Sequence, residues 1–259
     1  MKRLIFTLCW LLAACAAPIA EPTPNPSPSP APTEAPQSTV SATPLPTPTP
    51  IPVSALCSPL AGHTFQVLLG YISQEFRAPP SSSDWDGGHH GLDFAYYQRN
   101  DPGGQGGHID GAALQSALDG YVAGLGYASI YGYYLIVETP WAQLSPDLAA
   151  LFEVAQGQSL YLLYAHLQNE APFVMREPLD CGQGLGQVGA SGDAYFVVEP
   201  HLHFEVRVGQ SSIQLGPMTY YDGHASQAEQ DEYRRWRNSP DFVLHDPLPF
   251  FEHGAQHGG

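Results

Sequence analysis

Histidine and carboxylate side chains are concentrated in three short segments of this 259-residue chain, at residues 89–93, 164–167 and 201–205. Neutral imidazoles and carboxylates are ligands of Zn²⁺, and three protein ligands leave one coordination position for water. A structural zinc site instead closes with four ligands, usually including cysteine. The cysteines of this chain are too few and too differently placed for that, so the pattern predicts a catalytic metal site.

The third segment has the alternation of a β-strand. His201, His203 and Glu205 alternate with Leu202 and Phe204. Because successive side chains of a strand point to opposite faces, the polar residues share one face and the apolar residues enter the core. Two imidazoles at this spacing suit one metal ion together with its substrate.

The other two segments are also predicted to lie at strand ends. His166 follows the apolar run 160–165, and Asp93 lies near the start of another β-favouring run. Gly, Pro, Asn and Asp separate such runs along the chain, which favours an antiparallel sheet or sandwich over βαβ units. The predicted strands are residues 64–70, 92–97, 120–124, 133–139, 159–165 and 201–208.

Two helices are predicted to interrupt this mainly β pattern. Ser145, Pro146 and Asp147 combine an N-cap, a first-turn proline and an acid at the positive end of a helix. This helix is expected to run to about residue 156, before a glycine. A capping box predicts a second helix at residues 226–238.

The three polar segments, in this order, resemble the signature of lysostaphin/LytM-type peptidoglycan endopeptidases. The glycine-rich residues 182–186 and 189–192 and the strand at 119–122 also match that family. The resemblance covers roughly residues 85–208 and implies the antiparallel β-sheet domain of these peptidases. The motif residues are His89-x-Gly91-x-Asp93, Tyr164-Ala165-His166 and His201-x-His203.

The resemblance also implies roles for five residues. His89, Asp93 and His203 would hold zinc, while His166 and His201 would flank the attacking water without binding the metal. One of these two histidines would accept the proton of that water, and the pair would stabilise the tetrahedral intermediate; the motif does not divide the roles. The implied substrate is a peptide cross-link or bridge of bacterial peptidoglycan.

Other features depart from the family or lie outside its motifs. Insertions at residues 98–113 and 209–238 are expected to build the walls of the substrate groove. His90 is expected to be structural, because only His89 has the family spacing. The other histidines, expected to be ordinary surface or core residues, are His63, His108, His224, His245, His253 and His257.

Two other functions remain open from the sequence. One is a non-hydrolytic regulator of cell-wall hydrolases, as in family members that have lost metal ligands, although all five motif positions are intact here. The other is a secreted peptidase that acts on Gly-rich proteins. Digestion of purified peptidoglycan with and without a chelator would separate these possibilities.

The N-terminus has the layout of a bacterial lipoprotein signal peptide. Lys2 and Arg3 precede an apolar run too short to span a bilayer, and Leu-Ala-Ala-Cys at residues 12–15 resembles a lipobox. We expect residues 1–14 to be removed and Cys15 to carry lipid, which anchors the exported protein to the outer face of the cell membrane. A plain signal peptide that happens to contain Cys15 is the alternative.

A proline-rich segment follows, and residues 15–52 are predicted to form a disordered tether. Proline favours extended polyproline II, so the segment could reach on the order of 100 Å. A proline-rich ligand for a partner domain is the alternative. The peptidase-like domain is then residues 53–259, with a core at 85–208 and a C-terminal extension at 209–259.

Composition and cysteine content restrict the partners further. The 25 acidic residues against 9 basic ones give a net charge of −16, which would repel nucleic acid. No apolar run reaches the length of about 18 residues that spans a bilayer, so membrane contact is expected only through the lipid. We expect a monomer. Cys57 and Cys181 remain as a pair in an exported chain, which predicts a disulfide.

Overall fold

The computed structural model describes the chain from residue 53 to residue 257, with three internal segments and one single residue left out. The predicted signal peptide, Cys15, the proline-rich tether and most of the 98–113 insertion therefore lie outside the described residues. Among the described residues, no helix is both long and apolar enough to cross a membrane. The described ranges are residues 53–80, 87–95, 109–192, 200–220 and 222–257.

Antiparallel strands make up most of the described chain, as the sequence predicts. The strands are β1 (Ile72–Gln74), β2 (Leu92–Phe94), β3 (Ala113–Gln115), β4 (Gly120–Ala128), β5 (Gly132–Pro140), β6 (Gln158–Leu167), β7 (Pro178–Leu179), β8 (Gly184–Gln187), β9 (Leu202–Gln210) and β10 (Phe242–His245). The α-helices are α1 (Phe65–Leu69), α2 (Pro146–Leu151), α3 (Gln227–Asn238) and α4 (Leu248–His257). The expected mainly β, antiparallel fold class is confirmed.

Eight of these strands form one sheet in the order β1-β2-β9-β6-β5-β4-β7, with β10 also paired to β9. Strands β3 and β8 form a separate two-stranded sheet. The long strands β5, β6 and β9 are neighbours at the centre. Their register aligns Ala165 with His203, which places the ends of β6 and β2 beside the polar start of β9.

The two faces of the central strands pack against different groups of side chains. Tyr164 and Phe204 are register partners and belong to the main apolar core. Their neighbours Ala165 and His203 point to the opposite face, because side chains alternate along a strand. Trp236 from α3 packs on that second face.

Helix α1 (Phe65–Leu69) lies between the Thr64 and Gly70 caps, so the strand predicted at residues 64–70 is wrong. The Thr64 hydroxyl accepts the Val67 N–H, and Phe65 and Leu68 are buried three residues apart. An N-cap and a helical spacing of apolar residues therefore outweigh the β-favouring composition of this segment.

The two predicted helices are present with one change of length. The capping box between Ser226 and Glu229 is confirmed at the start of α3. Helix α2 begins after the Ser145 N-cap, but it ends at Leu151 rather than near residue 156. The helix ends there because the backbone becomes left-handed at Glu153, where φ is 55°.

The described residues contain four α-helices, whereas two were predicted. Helix α4 lacks a polar N-cap at the residue before it, which is Pro247. The Asp246 carboxylate performs that task, because it accepts the Leu248 N–H at 2.9 Å. An aspartate followed by proline was therefore an available signal for this helix.

A disulfide joins Cys57 to Cys181, with their Cα atoms 5.7 Å apart. It connects the segment before α1 to the turn between β7 and β8. The Cys181 N–H also donates to Asp119 Oδ1 at 2.6 Å. These bonds hold the N-terminal edge of the described chain against the strands.

Candidate metal centre

Asp93 and His203 lie directly opposite each other on β2 and β9. His203 Nδ1 is 2.8 Å from Asp93 Oδ1. Both residues are buried, with exposed fractions of 8% for Asp93 and 6% for His203. Because the register of paired strands sets which side chains meet, this pairing holds an imidazole and a carboxylate together on one face of the sheet.

His89 reaches the same point from the loop before β2. Its backbone pairs with that of Arg77 through two hydrogen bonds of 2.8 Å. Its Nε2 lies 3.1 Å from Asp93 Oδ1 and 3.2 Å from His203 Nδ1. Gly91 makes this approach possible, since a Cβ atom there would collide with a backbone carbonyl of β9 and lie 2.9 Å from the His203 ring.

These three side chains, called the trio below, fit a zinc ion. Their facing atoms form a triangle with edges of 2.8, 3.1 and 3.2 Å. Zinc bonds of about 2.0 Å at tetrahedral angles would separate two ligand atoms by about 3.3 Å, so a small expansion suffices. Among the residues the structure describes, the trio is the one group of three or more potential ligands whose atoms all lie within 4.8 Å of one another.

Hydrogen bonds on the far side of each imidazole decide which nitrogen faces the trio. Nδ1 of His89 is 2.8 Å from the carbonyl oxygen of Glu75, so Nδ1 carries the proton and Nε2 presents its lone pair. Nε2 of His203 is 3.1 Å from Glu205 Oε1, so this ring presents Nδ1 instead. Metal-binding histidines in proteins are usually oriented by such bonds.

The electrostatics of the trio favour a cation at its centre. Burial alone would raise the pKa of Asp93, but the contacts of its carboxylate with His203 and His89 lower it well below its usual range. Burial alone would lower the pKa of His203, but Asp93 and Glu205 raise it to about 9. Two carboxylates therefore stabilise a positive charge on or next to His203, and a bound metal ion would supply that charge in place of the proton.

His166 lies beside the trio in an unusual backbone conformation. Its φ of 61° is left-handed, which is costly for a residue other than glycine. The register of β5 with β6 shifts at this point, between the pairs Tyr133–Leu167 and Leu135–Tyr164. This local irregularity brings the His166 ring to 6.0 Å from the His203 ring, measured between centroids.

The surroundings of His166 keep its ring neutral. Burial, together with the charges of His201 and His203, lowers its pKa to about 3. Nδ1 lies 2.8 Å from the carbonyl oxygen of Ser191, so this nitrogen donates its proton there and Nε2 is the unprotonated atom. The Ser191 hydroxyl in turn bonds to the Leu167 carbonyl at 2.6 Å and fixes the position of its own carbonyl group.

His201 completes the set from the residue before β9. Its ring centroid is 4.4 Å from that of His166. Its Nε2 is 3.8 Å from Asp93 Oδ1, yet it is not a member of the mutually close trio. The five motif residues are thus brought together as a trio with the geometry of a metal site and an adjacent pair of imidazoles.

His90 has a different environment from its neighbour His89. Its Nδ1 accepts a hydrogen bond from the Arg207 guanidinium at 2.9 Å, and its Nε2 lies 3.3 Å from the Gly87 carbonyl oxygen. This ring therefore connects the loop to β9 and does not join the trio. His108 lies outside the described residues, and no other described histidine belongs to the metal cluster.

Sequence reasoning missed the side chains that surround Glu205. Tyr131, Trp236 and Arg237 approach its carboxylate, the last two from α3 within the 209–238 insertion. Their positions depend on how a helix packs on the sheet, for which the sequence offers no spacing signal. Ser191, in contrast, belongs to the glycine-rich segment that the motif comparison had identified.

Comparisons with known proteins give distant matches among solved structures. No protein-family model matches the chain, and no curated protein sequence matches it. A zinc-containing peptidase from Vibrio cholerae is similar at 25% identity and a TM-score of 0.33, covering 52% of this chain and 32% of that one. This chain therefore spans about a third of the length of that peptidase.

Two further solved structures are similar. The catalytic domain of lysostaphin from Staphylococcus simulans matches at 18% identity and a TM-score of 0.40, over 73% of this chain and 98% of that domain. A mutant catalytic domain of the prophage-encoded M23 protein EnpA from Enterococcus faecalis matches at 22% identity and a TM-score of 0.33. This match covers 55% of this chain and 82% of that one. Solved structures that resemble this chain thus include M23 and lysostaphin-type peptidases, the family that its three motifs indicate.

Proposed function

We propose that this protein is a zinc-dependent endopeptidase that hydrolyses peptide cross-links or bridges of bacterial peptidoglycan. One observation carries the proposal: a largely buried trio with the ligand set of zinc lies next to two imidazoles that do not belong to it. A structural metal site needs only its ligands, whereas a hydrolytic site also needs groups that move a proton and stabilise charge. The arrangement supports hydrolysis.

His89, Asp93 and His203 would hold the zinc ion through Nε2, a carboxylate oxygen and Nδ1. When bound, zinc polarises a carbonyl oxygen and lowers the pKa of a water molecule toward about 7. The protein keeps both imidazoles aimed at one point through Gly91 and through the hydrogen bonds to Glu75 and Glu205.

We assign proton transfer to His166. Its ring is neutral, its Nε2 is unprotonated, and its Nδ1 already donates to a backbone carbonyl. A general base needs an unprotonated nitrogen, and the Ser191 carbonyl, which raises the pKa of this ring, partly offsets the burial that disfavours its imidazolium. The same proton can then be returned to the nitrogen of the departing amine.

We assign stabilisation of the tetrahedral intermediate to His201. Its ring stands beside His166 and its Nε2 lies on the Asp93 side of the trio. A donor held there in advance can bond to the negative charge that develops on the substrate oxygen, at little reorganisation cost. The two imidazoles thus act on different atoms of one peptide bond.

The substrate is proposed to be a peptide rich in Gly or D-Ala, as the family resemblance implies. The net charge of −16 disfavours attraction to anionic wall polymers, so recognition would come from the fit of the peptide in the groove. We further propose that Cys15 carries lipid and holds the protein at the outer face of the cell membrane. Membrane fractionation of Cys15→Ser tests the anchor: the protein should be released or remain unprocessed, and unchanged fractionation would refute it.

Digestion of purified peptidoglycan tests the activity. The protein should release peptide fragments, identified by mass, and a chelator should stop their release. His90→Ala is a control that should still cleave, since its ring lies outside the trio. A protein that binds zinc but releases no fragments would contradict the endopeptidase proposal, and so would cleavage of Gly-rich proteins without cleavage of peptidoglycan.

A further inference from the structure

Glu205 lies behind the metal centre as a fully buried carboxylate with hydrogen-bond donors on both oxygens. Its Oε1 accepts from the Tyr131 hydroxyl at 2.7 Å and from His203 Nε2 at 3.1 Å. Its Oε2 accepts from Arg207 Nε at 2.9 Å and from Trp236 Nε1 at 3.0 Å. A charged-group oxygen with two donors has few alternative orientations, so this carboxylate is held in one place.

The cluster also connects the two segments that carry the histidines of the trio. Arg207 bonds to Glu205 on one side and to His90 Nδ1 on the other, the latter at 2.9 Å. His90 is the neighbour of His89 in the loop before β2. A continuous path of hydrogen bonds therefore runs from His203 on β9 to the residue beside His89.

Packing alone does not explain why charged residues occupy this position. Glu205 and Arg207 are 0% and 1% exposed, and their register partners on β6 are Leu163 and Tyr161. Taking an ion pair out of water carries a desolvation cost that its attraction often only balances, and apolar residues of similar size commonly serve stability as well or better. The position of the carboxylate against a ring nitrogen points to another use.

We propose that Glu205 is a positioning residue of the metal site. It holds His203 with Nε2 protonated, so that Nδ1 is aimed at the zinc position. Arg207, Trp236 and Tyr131 hold the carboxylate in place, while the bond from Arg207 to His90 is not required for zinc binding. The inference rests on the proposed zinc site but not on which bond the enzyme cuts.

Zinc affinity of the full chain, measured by competition with a chromophoric chelator, tests this role. Glu205→Gln keeps the size of the side chain and removes its charge. Glu205→Asp keeps the charge, which the buried arginines need, but shortens the reach to His203. Both changes should weaken zinc binding by about 10–100-fold, the usual effect of removing a partner of a metal-binding histidine. The spectrum of the cobalt-loaded variants should also change, because the ligand ring is less constrained.

Glu138→Gln is the matched control. Glu138 is likewise 0% exposed in the same sheet, and its carboxylate is bonded by Arg176, by the Ser159 hydroxyl at 2.8 Å and by the Ser212 N–H at 2.6 Å. Its loss should lower stability but leave zinc affinity within about threefold of the parent, since none of its partners belongs to the trio.

The outcomes separate this inference from the proposed function. If the parent binds zinc and either folded Glu205 variant binds it within about threefold of the parent affinity, Glu205 is structural and the inference is wrong. If both variants and Glu138→Gln lose affinity equally, the effect is one of general stability and the inference is again wrong. A parent that binds zinc without cleaving peptidoglycan would refute the activity and still allow this test.

Discussion

The rings of His166 and His201 lie 4.4 Å apart, centroid to centroid, although His166 lies on β6 and His201 lies just before β9. The left-handed backbone at His166 brings one ring to this place, and the start of β9 brings the other. Neither ring belongs to the trio that can hold zinc. Because these two histidines are separate from the metal ligands, single substitutions should distinguish a loss of catalysis from a loss of zinc.

His166→Ala and His201→Ala should each retain zinc and the fold but lose most activity. Removing a general base or a donor to the developing oxyanion usually lowers kcat by roughly 10²–10⁴-fold. Metal analysis and kcat on a defined muropeptide, measured on the same preparations, check this. Near-normal cleavage by His166→Ala would mean that His166 is only a structural histidine at a strand end.

His203→Ala and Asp93→Ala should lose the metal. The parent is expected to hold about one Zn²⁺ per chain, and removal of one of three protein ligands should leave little zinc after dialysis. His90→Ala is the control and should keep its zinc, because that ring bonds to Arg207 and Gly87. If His201→Ala loses zinc while His203→Ala keeps it, the assignment of these two positions is reversed.

Zinc binding should release about one proton near pH 7. The pKa of His203 in the metal-free protein is raised to about 9, so this ring is protonated at neutral pH and must lose a proton to bind through Nδ1. Apparent affinity should therefore rise with pH, up to about tenfold per unit, and level off above pH 9. Calorimetry in buffers of different ionisation enthalpy measures the released proton, and binding heats independent of the buffer would contradict the prediction.

The same pKa sets the pH dependence of stability in the metal-free protein. A pKa raised above the unfolded value of about 6.5 stabilises the fold fully below that pH, and the contribution disappears as pH rises through about 9. Urea unfolding of the metal-free protein should therefore show lower stability at pH 9.5 than at pH 6. His203→Gln should reduce this pH dependence, and an unchanged dependence in that variant would assign it to other groups.

Replacing both Cys57 and Cys181 by serine should lower stability without removing zinc. The bond closes a chain segment with a sequence separation of 124, for which the chain-entropy model gives on the order of 4–5 kcal/mol. The measurement is the free energy of unfolding in urea for the parent and the double variant. A difference below about 1 kcal/mol would show that the unfolded chain gains little freedom when the bond is lost.

The sequence was informative where side-chain period and motif spacing coincide. Alternation along this segment predicted that His201, His203 and Glu205 share one face, and the structure pairs His203 with Ala165 and Glu205 with Leu163, two residues on the same face of β6. The family resemblance of the His89-x-Gly91-x-Asp93 motif predicted two members of the trio. Such patterns are readable because the period of a strand is fixed by its backbone.

The parts that could not be predicted depend on contacts between distant segments. The register shift at His166 has no marker in the sequence, since a histidine in a left-handed conformation looks like any other residue of a strand. Helix α3 was predicted from its capping box, but the sequence did not reveal that Trp236 would bond to Glu205. Residues 64–70 were wrongly predicted to form a strand, because their composition favours β structure although Thr64 is an N-cap.

Zinc titration of the metal-free protein, with cleavage of a soluble muropeptide followed at each step, tests the central claim most directly. A zinc endopeptidase should show no cleavage without metal and a rise in cleavage that saturates at about one zinc ion per chain. The same titration of His203→Ala should give no comparable rise at that stoichiometry. Full cleavage by the metal-free protein, or no cleavage of any peptidoglycan peptide once zinc is bound, would contradict the assignment of this site to a zinc endopeptidase.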